Sequence, residues 1–231
     1  MKKLIIIFLL ISCKKETQNL PNDAVLESKE LNVMRRKPPH NPPPSYKSGC
    51  LLLDFDGQNI SSLWNVSSVN SSGLTQSQIA SVLTRVQYDY SFDDSIIVTT
   101  NESVYNSFPE NKRVRCVITT SWEWYGQYGG VAYLNSFGWY GEKECFVFSS
   151  LLGLNAKYIS DAVSHELAHT TGARHHSDWI GCVFVNPYLV GDDIMGNSYA
   201  ASNPLFKIAA NDICCTCIED TKQVIRNAIN Q

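Results

Sequence analysis

Hydrophobic residues recur along this chain with two different periods, which separate predicted helices from predicted strands. Between residues 77 and 90 the spacing of three or four predicts a helix with apolar positions at Ile79, Val82, Leu83, Val86 and Tyr90. Shorter runs rich in aliphatic, β-branched or aromatic residues predict strands instead. These strands are expected within residues 51–57, 95–100, 114–119, 130–134 and 145–148.

Two more helices are predicted in the second half of the chain. One covers residues 159–171, and the other covers about 211–229, with Asn211 or Asp212 as its N-cap. Strands and helices in this order predict an α/β or α+β fold. We therefore expect one domain over residues 49–231, in which a twisted mixed sheet packs against the helix at 159–171.

The first residues predict export. A basic head is followed by eight apolar residues at 4–11, too few for the roughly 20 that span a bilayer, so residues 1–12 are predicted to be a signal peptide. Residues 10–13, Leu-Ile-Ser-Cys, resemble a bacterial lipobox, which implies a lipid on Cys13. An ordinary signal peptide of a secreted protein is the alternative. Five prolines within 38–44 favour an extended spacer over residues 13–48, with a short pro-segment as the other interpretation.

Composition and charge narrow the function classes. Apolar residues make up 44% of the chain and charged residues 18%, which indicates a globular core. The formal net charge of -3 leaves no basic surface, so nucleic acid is not an expected partner.

Export would make the cysteines candidates for disulfide bonds. If Cys13 carries a lipid, the odd number that remains leaves at least one thiol free; the remaining cysteines are Cys50, Cys116, Cys145, Cys182, Cys214, Cys215 and Cys217. A thiolate zinc site at residues 214–217 is a rival interpretation, although its spacing is tighter than the usual gap of about two to four residues.

The strongest chemical signal is the segment His-Glu-Leu-Ala-His-Thr-Thr-Gly-Ala-Arg-His at residues 165–175. His165 and His169 are four residues apart, so a helix would place both imidazoles on one face, where they can bind one metal ion. A continued helix would carry His175 about 9 Å further along its axis. We therefore expect Gly172 to end the helix and let His175 approach the same ion from another side.

Three histidine ligands leave one zinc coordination position open, as catalytic zinc sites require. Glu166 is adjacent to the first ligand and is not needed as a ligand itself. It is the candidate general base for a water molecule that zinc activates.

These residues match the HExxHxxGxxH signature of metzincin zinc proteases at every fixed position. The clan also has a methionine-containing turn that underlies the zinc site, and Met195, in Asp-Ile-Met-Gly, fits it. The chain thus resembles metzincins, with the order of its elements similar to secreted bacterial members of the adamalysin and matrixin type. Met195 as an ordinary core residue is the alternative interpretation.

The resemblance implies a zincin-like fold with an upper part to about residue 172 and a smaller lower part, residues 173–231, ending in a helix. It implies one catalytic zinc and cleavage of extended polypeptides. It also implies that an edge strand above the cleft binds the substrate through its main chain, and this strand would contain Gly130, Val131, Ala132 and Tyr133. An interior strand is the other interpretation of these residues.

Three positions depart from or complicate the family pattern. His176 follows the third histidine, where metzincin families have other residues, and it competes with His175 as the third ligand. Asn197 stands where astacins and serralysins have a tyrosine ligand. Residues 177–192, including Trp179, Phe184 and Tyr188, would shape the pocket beside the zinc.

The leading hypothesis is a zinc-dependent endopeptidase tethered to a membrane by its N-terminal lipid. The alternative is a catalytically inactive metzincin-fold binding module on the cell surface. Either bound calcium or solvated turn carboxylates would account for the acidic residues near predicted turns, which are Asp54, Asp56, Asp192 and Asp193.

Overall fold

A computed structural model describes residues 49–57, 64, 66, 68–141 and 143–231. The predicted signal peptide, the lipid-attachment residue Cys13 and the proline-rich spacer lie outside these described residues. Among the described residues, no helix is long and apolar enough to cross a membrane.

A five-stranded sheet forms the centre of the fold, in the order β2-β1-β3-β5-β4. The first four strands in this order are parallel to one another, and β4 is antiparallel to β5 at the sheet edge. This is the mixed α/β architecture that the sequence predicts. The strand bounds are β1 Gly49–Asp54, β2 Ile96–Thr99, β3 Arg113–Thr119, β4 Gly130–Val131 and β5 Glu144–Phe148.

Two 15-residue helices provide most of the apolar surface that covers the sheet: α1, Gln76–Tyr90, and α3, Ala156–Thr170. α1 begins with a capping box between Thr75 and Gln78, which satisfies the backbone N–H groups at its start. Both helices contribute to one buried cluster with the strands; its members include Leu51, Leu53, Val82, Val86, Val147, Ile159, Val163 and Leu167. A short helix α2, Glu102–Asn106, and a 3₁₀ turn, Glu110–Lys112, connect β2 to β3.

The lower part of the chain contains two small antiparallel hairpins and the last helix. They are β6 Asp178–Ile180 with β7 Val183–Asn186, β8 Ile208–Ala210 with β9 Ile218–Asp220, and α4 Thr221–Ile229. Disulfide bonds join Cys182 to Cys215 and Cys214 to Cys217. Such bonds are compatible with an extracellular protein.

The prediction of a helix over about 211–229 is wrong in its first half. The helix begins only at Thr221, and its N-cap is Asp220, whose carboxylate accepts a hydrogen bond from the Gln223 N–H. The segment before it pairs in the β8–β9 hairpin, and its cysteines are held in disulfides. The hairpin pairing and the disulfides override the helical spacing. The disulfides also exclude Cys214, Cys215 and Cys217 as thiolate zinc ligands.

Three other cysteines, Cys50, Cys116 and Cys145, are buried free thiols. They lie on β1, β3 and β5, and burial in the sheet explains why they are not exposed to oxidants.

Candidate metal centre

Helix α3 brings two histidines of the motif together. Asn155 caps its first turn by accepting hydrogen bonds from the Lys157 and Tyr158 backbone N–H groups. His165 and His169 then lie one helical turn apart, and their Nε2 atoms are 2.9 Å from each other. Both side chains are buried.

The helix ends just after His169, as predicted. Thr171 is the C-cap residue, and Gly172 has a φ of 104°, a conformation that glycine adopts readily. The reversal returns the chain to the helix face. His175 Nε2 therefore lies 3.1 Å from that of His169 and 3.2 Å from that of His165.

The hydrogen bonds of the imidazoles indicate which nitrogen faces the centre of the triad. His165 Nδ1 lies 2.7 Å from the Ile194 carbonyl oxygen, and His169 Nδ1 lies 2.7 Å from the Ala173 carbonyl oxygen. A carbonyl only accepts, so in both rings Nδ1 carries the proton and Nε2 presents its lone pair.

Lone pairs 2.9 Å apart repel one another unless they share a cation. Nitrogens bound tetrahedrally to zinc at about 2.0–2.1 Å are about 3.3 Å apart, within a few tenths of an ångström of the Nε2 separations. The donor set therefore fits a metal ion. Carbonyl acceptors on the outer nitrogens are the usual support for histidine ligands.

The electrostatic environment favours the form of histidine that binds metals. Burial lowers the pKa of His165 to about 4 and the pKa of His169 to about 3, and it lowers the pKa of His175 well below its ordinary value. Because desolvation penalises the charged ring, all three imidazoles are neutral at neutral pH. Neutral imidazole is the metal-binding species.

Glu166 is fully buried and lies against the edge strand β4. A Cβ built on Gly130 would come within 2.7 Å of both Cγ and Oε1 of Glu166 and of the Phe146 carbonyl oxygen. Position 130 therefore has no room for a side chain while Glu166 keeps its place. This close approach links the predicted base to the predicted substrate-binding strand.

The edge strand is shorter than predicted. β4 contains only Gly130 and Val131, while Ala132 and Tyr133 follow it as irregular backbone. Just after Tyr133, the Asn135 N–H donates to the His169 carbonyl and the Phe137 N–H donates to the Thr170 carbonyl. The chain leaves the strand early because these bonds tie it to the end of α3.

His176 does not join the triad. Its ring is completely buried, with Nδ1 2.6 Å from Asp193 Oδ2 and Nε2 3.3 Å from the Thr221 hydroxyl. These contacts point it away from the metal centre and towards the start of α4. Of the two competing histidines, His175 is therefore the one that lies with His165 and His169.

Met195 is fully buried, in a turn closed by a hydrogen bond from the Gly196 N–H to the Asp193 carbonyl. The Met195 carbonyl accepts a hydrogen bond from the His176 N–H, so the turn is fixed to the segment that carries the third histidine. Met195 belongs to the same buried cluster as Ala168 and Ala173. Its role as the floor of a zinc site stays a prediction.

Several contributions to the site have no signature in the sequence. The carbonyls of Ile194 and Ala173 are main-chain groups, which any residue type would supply. The direction of Tyr188 was also open; its ring centroid lies 4.9 Å from that of His175. Only the tertiary structure places these groups.

Among the described residues, the acidic residues considered for calcium do not form a group of three side chains placed to hold one ion; these residues are Asp54, Asp56, Asp192 and Asp193. Asp54 forms an ion pair with Arg115, Asp192 pairs with Lys207, and Asp193 binds His176. The calcium hypothesis therefore has no support among the described residues.

Across the described part of the chain, the histidine triad is the one group of at least three His, Cys, Asp or Glu side chains that is placed to hold a metal ion. All three members are buried. We compared the chain with protein-family models and with curated proteins and found no match in either.

Proposed function

We propose that this chain is a zinc-dependent endopeptidase with a metzincin-like, zincin-type fold. The observation that carries the proposal is the convergence of three neutral imidazoles, His165, His169 and His175, with Glu166 in the same helix. Zinc is the metal that the HExxH spacing favours. The N-terminal sequence supports export and a lipid tether at Cys13.

The residues of the site divide the chemistry among them. A zinc ion held by the triad would lower the pKa of a water molecule to about 7 and polarise a peptide carbonyl. The Glu166 carboxylate accepts the proton of the attacking water and passes it to the leaving amine. Ile194 and Ala173 hold two imidazoles in one tautomer, so that their Nε2 lone pairs stay directed at one point.

Substrate binding follows from the place of β4 in the sheet. β4 is the last strand in the order, so only one of its edges pairs with β5. An extended polypeptide adding to the other edge would lie beside Gly130, the residue against which Glu166 packs. This arrangement supports an extended peptide as the substrate.

The proposal is tested by incubating the purified protein with casein and a peptide library. We expect cleavage that a chelator abolishes and that added zinc restores, because the triad supplies three neutral ligands. Cleavage that persists after the metal has been removed, as checked by elemental analysis, would contradict it. A zinc-loaded protein without turnover on a broad library would favour the inactive binding module instead.

Replacing Gly130 with alanine is expected to lower kcat by about 10²-fold, since a displacement of about 1 Å in a catalytic group has effects of that size. The new methyl group would displace Glu166 or push β4 from β5, where the Phe146 carbonyl is equally close. Zinc content should not change, because no ligand moves.

The matched control for this substitution is Gly138→Ala. A Cβ at position 138 meets nothing within 4 Å, and that residue is exposed. Turnover should be unchanged in the control. Equal turnover in Gly130→Ala and Gly138→Ala would show that the contact with Glu166 has no importance for the reaction.

A further inference from the structure

The β6–β7 hairpin, residues 178–186, exposes large apolar side chains at its tip. Ile180 is 71% exposed, Val183 66%, Val185 55% and Phe184 47%. Isolated apolar residues are common on protein surfaces, but a contiguous group indicates a contact with something apolar. The group is contiguous because these residues lie on two paired strands joined by a two-residue turn.

The register of the hairpin shows how its apolar side chains are arranged. Ile180 pairs with Val183, and Val185 is two residues farther along β7, so these three share one face. Phe184 is on the other face and packs edge-on against Trp179, at 5.0 Å between ring centroids. Apolar side chains therefore cover both faces of the tip.

The hairpin cannot fold back to bury these residues. Cys182, at the turn, is joined to Cys215, and the Trp179 indole N–H donates to the Asn211 carbonyl. These two attachments fix the tip on the neighbouring loop with the aliphatic face outwards. Its exposure is thus a property of the folded protein.

The size and charge of the tip discriminate between a protein partner and a lipid. A stable protein interface involves about 20–30 residues on each side, whereas the whole hairpin spans only residues 178–186. A bilayer accepts a small tip, since lipid surrounds it on both faces. The sequence from Trp179 to Gly191 contains no Asp, Glu, Lys, Arg or His, so immersion would bury no charge.

We propose that the tip of the β6–β7 hairpin inserts into the surface of a phospholipid bilayer. The insertion is shallow, because a two-stranded sheet has open edges whose backbone groups are not tolerated in the hydrocarbon core. The lipid tether expected at Cys13 would keep the domain at the same membrane. This contact is independent of catalysis.

Insertion would also orient the metal centre. The chain continues from β7 to Tyr188, whose ring contacts His175. The triad would consequently lie close to the bilayer. Polypeptides that lie close to the membrane surface would reach it first.

Photo-crosslinking tests the insertion with the full chain. p-Benzoylphenylalanine is incorporated at position 180 or 185, and in a control at position 88, where Tyr88 is 53% exposed on α1. Each protein is reconstituted in vesicles of phosphatidylethanolamine and phosphatidylglycerol in equal parts and irradiated. We expect phospholipid adducts, detected by mass spectrometry, at positions 180 and 185 and severalfold fewer at position 88.

Three outcomes would overturn the proposal: equal lipid adducts at all positions, no lipid adduct at 180 and 185, or adducts to a second copy of the chain. A second variant carries Ile180→Ser, Val183→Ser and Val185→Ser. Vesicles should protect the wild-type hairpin from added protease and protect this variant less. Peptide cleavage measured without vesicles reports on the proposed enzyme separately, so failure of one proposal does not imply failure of the other.

Discussion

Glutamine in place of Glu166 is expected to lower kcat by about 10²- to 10⁴-fold, the range that general acid–base catalysis contributes. Glutamine has the same shape as glutamate and fits the same buried position against Gly130. It removes only the ability to accept a proton. His165 and His169 keep their carbonyl supports and His175 is unchanged, so the zinc content should remain at one ion per chain.

The measurements are kcat on a peptide substrate and metal content by elemental analysis of the same sample. Glu123→Gln is the matched control, because Glu123 is exposed and its carboxylate accepts a hydrogen bond from the neighbouring Trp122 N–H. It should retain full turnover. Wild-type turnover in Glu166→Gln would eliminate Glu166 as the base, even if chelators still inhibit cleavage.

Alanine in place of His169 is expected to abolish both metal binding and turnover. The Nε2 atom of His169 lies 2.9 Å from that of His165 and 3.1 Å from that of His175. Removing His169 leaves only two imidazoles. Two neutral ligands do not fill a zinc site that needs at least three from the protein. Turnover should fall to the background of the chelated wild type.

Thermal unfolding with and without zinc provides a readout that is independent of activity. A ligand that binds only the native state raises Tm, so zinc should raise the Tm of the wild type but not that of His169→Ala. His40→Ala serves as the control, since His40 lies in the predicted spacer, and it should behave as the wild type. Full zinc content in His169→Ala would show that the triad is not the metal site.

Much of the site could be predicted because its determinants are local. The four-residue spacing of His165 and His169 places two rings on one helix face, and Gly172 ends the helix where a positive φ is needed. The choice between His175 and His176 as the third member of the triad does not depend on local sequence. It was decided by Asp193 and Thr221, which hold His176 from a loop and from the start of α4.

The two segments whose conformation was predicted wrongly, residues 211–220 and the end of the edge strand, also depend on contacts outside the local sequence. Residues 211–220 have a helical spacing of apolar side chains, but the pairing of β8 with β9 and the bond from Cys215 to the distant Cys182 determine their conformation. The edge strand ends after Val131 because the following chain bonds to the end of α3. In both segments, contacts with residues distant in sequence outweigh the weak local propensity.

The sequence alone determined the strands of the sheet, the two long helices, the helical pair His165 and His169, and the general base candidate, since each depends on periodicity or spacing within about 15 residues. The tertiary structure decided which groups surround them. It placed the carbonyls of Ile194 and Ala173 on two ligands, Gly130 against Glu166, and the apolar hairpin in solvent. These contacts join residues far apart in the chain, and only packing brings them together.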